Sequence, residues 1–268
     1  MGRSMKSEPK ILIIVEGKKT EPAFFQCVGQ VFNLDFGIYC LKTNIYSLYK
    51  EMKALDFNAD IRDVLKEMHP EYSEVLSDRF AYTYLIFDLD PHHPKKNESR
   101  SITQIIIENC SRIREMAAYF VDETDPAVGK LYINYPMFES FRACDAPFDP
   151  AFRTEYVSLP DIKAFKTYVG SKKMVRRHLK DYTQNDFELL TKMNIFKLGS
   201  LFSGEWEPIP YLKYLEYSSA QAILAKQEKS ISSAGNIATL NTSLFLLVDY
   251  YGNRDGYYDR IINLQQNI

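Results

Sequence analysis

Five consecutive branched apolar residues, Ile11-Leu12-Ile13-Ile14-Val15, run straight into Glu16-Gly17-Lys18-Lys19-Thr20. An apolar run this short, without alternation, is the pattern of a strand covered on both faces, as in a parallel sheet flanked by helices. The following residues supply a helix to cover it. Thr20 can cap it, Pro22 is tolerated in its first turn, and Phe24, Phe25, Val28, Val31 and Phe32 recur at helical spacing. The alternation then repeats. Phe36–Leu41 reads as a second strand, and Asn44 can cap a helix with Ile45, Leu48, Tyr49, Met52 and Leu55 on one stripe. Tyr82–Phe87 reads as a third strand, ending in Asp88-Leu89-Asp90-Pro91, where proline stops the pairing. A helical pattern from Ser101 to Phe120 leads to a fourth strand, Lys130–Asn134, and a short helix from Pro136. Strand and helix in turn predict an α/β fold, a mostly parallel sheet of about four strands flanked by helices.

The pattern breaks around Pro147, Pro150 and Pro160. Beyond it, residues 161–180, 186–203, 218–231 and 237–251 carry helical stripes and no strand is evident. The expectation is an α/β domain over residues 1–145 and a mainly helical region over residues 146–268.

A chain of 268 residues with 46% hydrophobic and 25% charged content can bury a real core. Its 33 Lys and Arg against 35 Asp and Glu leave a net charge of -2, so a polyanion would have to be met by a local patch. Cys27, Cys40, Cys110 and Cys144 form no CxxC pair and have no nearby histidine, which fits neither a zinc site nor a disulfide framework and suits a reducing cytoplasm. The apolar bursts Ile11–Val15 and Leu244–Val248 are too short to span a bilayer, so the expectation is a cytoplasmic protein without a membrane partner.

Gly17-Lys18-Lys19-Thr20 does not have the spacing of a phosphate-binding loop, which needs GxxxxGK[ST] and an upstream glycine; here Val15 and Glu16 occupy the loop. A carboxylate there would repel a bare phosphate and attract a cation. Asp88 and Asp90, two apart at a strand end, point to one face if the chain is extended. Ligands of open α/β sheets gather outside the carboxyl ends of the strands. If strands one and three are neighbours, Glu16, Asp88 and Asp90 converge, and hard oxygen donors of that kind suit Mg²⁺ or Mn²⁺. An acid at a strand end can also simply face solvent or a helix N-terminus. The combination of Glu-Gly after one apolar strand and Asp-x-Asp after another favours the metal.

These residues resemble the signature of the Toprim domain, the Rossmann-like metal-binding module of topoisomerases, primases and overcoming-lysogenization-defect (OLD) nucleases. That signature has a Glu ending the first strand and a D-x-D after a later one. Glu16-Gly17-Lys18-Lys19-Thr20-Glu21-Pro22 is similar to the opening motif of the RloB-like abortive-infection family, and Pro136-Met137-Phe138-Glu139-Ser140-Phe141 to its P-x-F-E-x-W segment. Phe141 stands where an indole is usual, and Tyr135 where an Asn is expected. The resemblance covers roughly residues 10–145. It implies a metal-dependent endonuclease acting on DNA or RNA, transfer RNA included, as the toxic effector of a bacterial anti-phage system governed by an ATPase partner encoded alongside. In that reading Glu16 is general base or metal ligand, Asp88 and Asp90 are metal ligands, Glu21 and Glu139 are candidates for outer contacts, and Lys18 and Lys19 steady a phosphate.

Other readings stand beside these. Glu21 could be a helix-N-terminal charge, Glu139 a helix residue bonded to backbone, and Lys18 and Lys19 a solvated pair. His92 and His93 diverge as neighbours and read as a solvated loop, while His69 and His178 give no constellation. Residues 163–180, "KAFKTYVGSKKMVRRHLK", carry no acid. Lys172, Lys173, Arg176 and Arg177 there are the candidate nucleic-acid contacts, against a solvated helix face. The alternative function is a Toprim-like module that binds nucleic acid or a partner without cutting. Self-association is left open.

Overall fold

The computed structural model describes residues 9–89, 99–144, 150–172, 178–252 and 256–264. The described strands are β1 (Ile11–Val15), β2 (Phe36–Cys40), β3 (Tyr82–Asp88), β4 (Val121–Asp122), β5 (Gly129–Asn134), β6 (Tyr156–Ser158) and β7 (Asn236–Ala238). The described helices are α1 (Thr20–Phe32), α2 (Ile45–Ala54), α3 (Ile61–Met68), α4 (Ser73–Leu76), α5 (Ile102–Tyr119), α6 (Pro150–Arg153), α7 (Ile162–Gly170), α8 (Gln184–Ser203), α9 (Tyr211–Tyr217), α10 (Ala220–Ala234), α11 (Phe245–Tyr251) and α12 (Tyr257–Ile262). The chain divides into two compact units, one of residues 1–86 and 119–131, the other of residues 87–118 and 132–268. The division falls inside β3, after Ile86, and inside β5, after Leu131.

The main sheet is mostly parallel, with strand order β2-β1-β3-β5-β4. β1 pairs in parallel with β2, Ile11 opposite Phe36 through Val15 opposite Cys40, and with β3, Ile11 opposite Tyr82 through Val15 opposite Ile86. All five β1 residues are fully buried, as the unbroken apolar run requires of a strand inside a sheet. β2, at the edge, alternates half-buried and buried residues. In the first unit α1 buries Phe24, Phe25, Val28 and Phe32, each contributing on the order of 2 kcal/mol by removal from water. The helix takes in Thr20 as its first residue, with Lys19 in the capping position.

The fifth strand, unforeseen in sequence, is β4. It pairs antiparallel with β5, Val121 opposite Lys130, and is two residues long, too short for a period-two pattern to show. The short helices α3 and α4 also went unread. After the cis Tyr135–Pro136 bond, the helix expected from Pro136 is a 3-10 turn over Phe138–Arg142.

In the second unit α8 is the central helix. A capping box between Thr183 and Asp186 starts it, and Phe187 through Gly199 are buried on all sides, Glu188, Lys192, Asn194 and Lys197 included. The expectation of no strand beyond residue 146 is corrected: β6 pairs antiparallel with β7, Tyr156 opposite Ala238 and Ser158 opposite Asn236. Three-residue strands leave no readable alternation. The expected helix over 237–251 begins only at Phe245, because Asn241 and Thr242 commit their side chains to the Phe138 and Ile133 carbonyls and their N–H groups to Asn194 and Asn134, partners that a helix would not offer. Of residues 161–180, Ile162–Gly170 are α-helical and Leu179–Asp181 form a 3-10 turn. No described helix is long and apolar enough to cross a membrane.

Candidate functional site

The ladder between β1 and β2 continues past both strands. Leu41 N–H donates to the Val15 carbonyl at 2.8 Å and Lys42 N–H to the Glu16 carbonyl at 3.2 Å, so the half-buried Glu16 is held by the sheet through its backbone. At Gly17 the chain turns into α1, and Gly17 N–H donates to Glu21 Oε1 at 3.0 Å. A Cβ on Gly17 would lie 2.5 Å from either Glu21 carboxylate oxygen, so a larger residue would push this flexible carboxylate aside. Glu21 sits in the first turn of α1, where the helix dipole favours negative charge. Lys18 and Lys19 are exposed beside it.

At the end of β2 lies Cys40, half-buried. Burial pushes its thiol upward, the Glu21 charge adds to this, and Lys42 and Lys18 oppose it. Two cations and a carboxylate therefore surround this strand end in the first unit. Lys42 itself has φ 63°, a conformation that a residue with a side chain adopts at a cost of about 1 kcal/mol or more. Its ammonium donates to Glu71 at 2.8 Å and lies 4.5 Å over the Tyr72 ring. The sequence reading missed Lys42, and the only local signal was a lysine directly after an apolar strand.

In the second unit, Asp88 ends β3 half-buried, and its Oδ1 accepts from Asn134 Nδ2 at 3.4 Å. Leu89 N–H donates to the Asn134 carbonyl at 3.0 Å, which carries the pairing one residue beyond Asp88. Asn134 is fully buried at the end of β5 and was read only as the last residue of a strand. Asp90, His92 and His93 lie outside the described residues, as do Lys173, Arg176 and Arg177. Lys172 places its ammonium 4.9 Å over the Tyr168 ring. Glu139 is 6% exposed and forms an ion pair with the exposed Lys166 of the basic stretch. His69 Nδ1 lies 3.6 Å from Glu71 in the first unit.

Among the described residues no three His, Cys, Asp or Glu side chains form a group that could hold a metal ion. Taken separately, each of the two described candidates has donor chemistry that suits a hard cation: Glu16, in the first unit, is a carboxylate just past a strand, and Asp88, in the second, is a strand-end carboxylate with the Asn134 amide behind it. No family model, no curated protein and no solved structure matches the chain.

Proposed function

We propose that the chain is a Mg²⁺- or Mn²⁺-dependent phosphodiesterase of Toprim type that hydrolyses nucleic acid, DNA or RNA. The observation that supports this most is the strand order. The carboxylate argument required β1 and β3 to be neighbours, and they are parallel neighbours in register, Val15 opposite Ile86. Glu16 follows the last paired residue of β1, and Asp88 ends β3. The carboxyl ends of adjacent parallel strands are where α/β sheets present ligands.

In this reading Asp88 and Asp90 would hold the cation, which when bound would supply Lewis-acid polarisation of a phosphoryl oxygen. Glu16 would serve as a further ligand or as the general base that takes a proton from water. Lys18 and Lys19, exposed at the start of α1, steady the scissile phosphate. Lys172, Lys173, Arg176 and Arg177 follow the backbone of the polymer. The role as toxic effector of an anti-phage system, silenced by an ATPase partner, rests on the resemblance of Glu16–Pro22 and Pro136–Phe141 to RloB-like proteins.

Calorimetric titration with Mn²⁺ and cleavage of labelled DNA and RNA test the proposal. Wild type should bind and cut, Asp88→Asn should lose the site, Glu16→Gln should bind more weakly, and expressed with its trigger the wild type should arrest growth where Asp90→Ala does not. Mn²⁺ affinity equal in all three proteins would remove the metal reading. Binding of nucleic acid without cleavage in any of them would favour the non-cleaving module.

A further inference from the structure

The run Thr239-Leu240-Asn241-Thr242-Ser243 in the second unit is at most 1% exposed at every residue, although four of its five side chains are polar. Burying such groups is unfavourable unless they are hydrogen-bonded. Several of the bonds converge on Asn134. Its Oδ1 accepts from Thr242 N–H at 3.1 Å, Ser243 N–H at 3.3 Å and the Ser243 hydroxyl at 2.9 Å. Thr242 Oγ1 donates to the Ile133 carbonyl at 2.8 Å, and Tyr135 and Leu240 exchange two backbone bonds of 2.9 Å. The run is thus strapped to three successive residues, Ile133, Asn134 and Tyr135. It is anchored in turn to α8, where Asn194 Oδ1 accepts from Asn241 N–H at 2.8 Å and Asn194 Nδ2 donates to the Leu190 carbonyl at 2.9 Å.

This network dictates which way the Asn134 amide faces. Backbone N–H groups only donate, so the atom that meets Thr242 and Ser243 must be the oxygen, and the NH₂ must face the other way. There it lies 3.4 Å from both the Phe87 carbonyl and Asp88 Oδ1. A side chain with its acceptor on the strap and its donor on a carboxylate transmits the position of one to the other.

We propose that Asn134 is a positioning residue for Asp88, holding the carboxylate in place through the buried strap of residues 239–243. The proposal deepens the metal-dependent reading and rests on it. Carboxylates that ligate metals are oriented by hydrogen-bond partners whose loss typically costs about 10–100-fold in metal affinity.

The test uses the full chain and two measurements. The first follows the Asn134 side-chain amide and the Thr242 and Ser243 backbone amides by NMR in metal-free wild type and in Asp88→Ala. All three signals should shift, because removal of the carboxylate releases the NH₂ and the oxygen moves with it. The second compares Mn²⁺ affinity and melting temperature in wild type, Asn134→Ala and Ser243→Ala. Asn134→Ala orphans two buried N–H groups and is read only if it melts cooperatively, so Ser243→Ala is the gentler variant. An affinity about tenfold weaker at nearly unchanged melting temperature is expected. Signals unmoved by Asp88→Ala would overturn the proposal whatever the metal does, as would equal Mn²⁺ affinity in wild type and Ser243→Ala. Signals that move in a wild type binding no Mn²⁺ would sink the metal reading alone and leave the hold of Asn134 on Asp88 standing.

Discussion

Lys197 offers a stability prediction whose sign and size follow from its surroundings. It lies on α8, 1% exposed, and its ammonium donates to the carbonyls of Phe152, Arg153 and Glu155 at 2.9, 2.7 and 2.9 Å. Phe152 and Arg153 end α6, so the lysine bonds carbonyls at the end of that helix, the Phe152 one also accepting from Glu155 N–H at 3.2 Å. Burial pushes its pKa down to about 7 from an ordinary 10.5, against a smaller opposing effect of Glu155. Between those two values the unfolded chain holds a proton that the folded chain has released, so stability rises with pH there and is flat below about 7. The slope is at most about 1.4 kcal/mol per pH unit, and the whole gain is about 5 kcal/mol as an upper bound. The three carbonyls favour the charged form and bring the observed gain below that bound. Lys197→Met keeps the length of the side chain, removes the titration and leaves the three carbonyls without this donor, a loss of about 1 kcal/mol or more for each bond made, three by the ammonium and at most two by the neutral amine. Urea unfolding of both proteins from pH 6 to 10 gives the difference in stability. Wild type should gain on the variant as pH rises from 7 to 10. A difference independent of pH would mean that the carbonyls cancel the burial effect, and would refute the reasoning.

Three further outcomes are open to measurement. Arg260→Ala removes the guanidinium that donates to both oxygens of Glu188 at 2.6 and 2.7 Å, leaving a 2%-exposed carboxylate with Gln184 as a remaining donor; the expected loss is about 2–4 kcal/mol in denaturant unfolding, and a loss under about 0.5 would show that Glu188 rehydrates. Gly129→Ala adds a Cβ 2.7 Å from Leu85 Cδ1 and 3.2 Å from the Thr83 carbonyl at φ 79°, and should lower stability by about 1–3 kcal/mol; an unchanged melting temperature would show that β5 can shift at its start. Replacing Lys172, Lys173, Arg176 and Arg177 with Ala should weaken nucleic-acid binding and flatten its dependence on log salt, and an unchanged slope would assign the stretch to another role.

The elements legible in the sequence are those whose pattern is local and long enough to repeat. β1 reads from five apolar residues and α5 from Ile105, Ile106, Ile113 and Met116 on one face. β4, β6 and β7 have two or three residues each, too few for an alternation to show, and Tyr156 finds Ala238 only across the whole of α7 to α10. The polar run at 239–243, between the apolar Ile237 and Leu244 to Val248, reads in sequence as part of a helix. What decides its conformation is a set of acceptors on Ile133, Asn134 and Asn194, which no local pattern names.

The candidate site divides in the same way. Glu16 and Asp88 stand out in the sequence because a carboxylate ending an apolar strand contradicts its local surroundings, and that contradiction is visible within a few residues. Whether β1 lies beside β3 was a condition the sequence could pose but not answer, since it depends on pairing across more than sixty residues. The parallel register of the two strands answers it. Asn134 carries no such signal, because a polar residue at a strand end looks like any turn. Its position becomes informative only when donors from Thr242 and Ser243, more than a hundred residues along the chain, determine that its NH₂ faces Asp88. Glu139 carries the opposite lesson. Its motif drew attention as possible chemistry, yet a 6%-exposed carboxylate paired with Lys166 already has a use in holding the 3-10 turn against α7, and any contact with a ligand would have to compete with that cation.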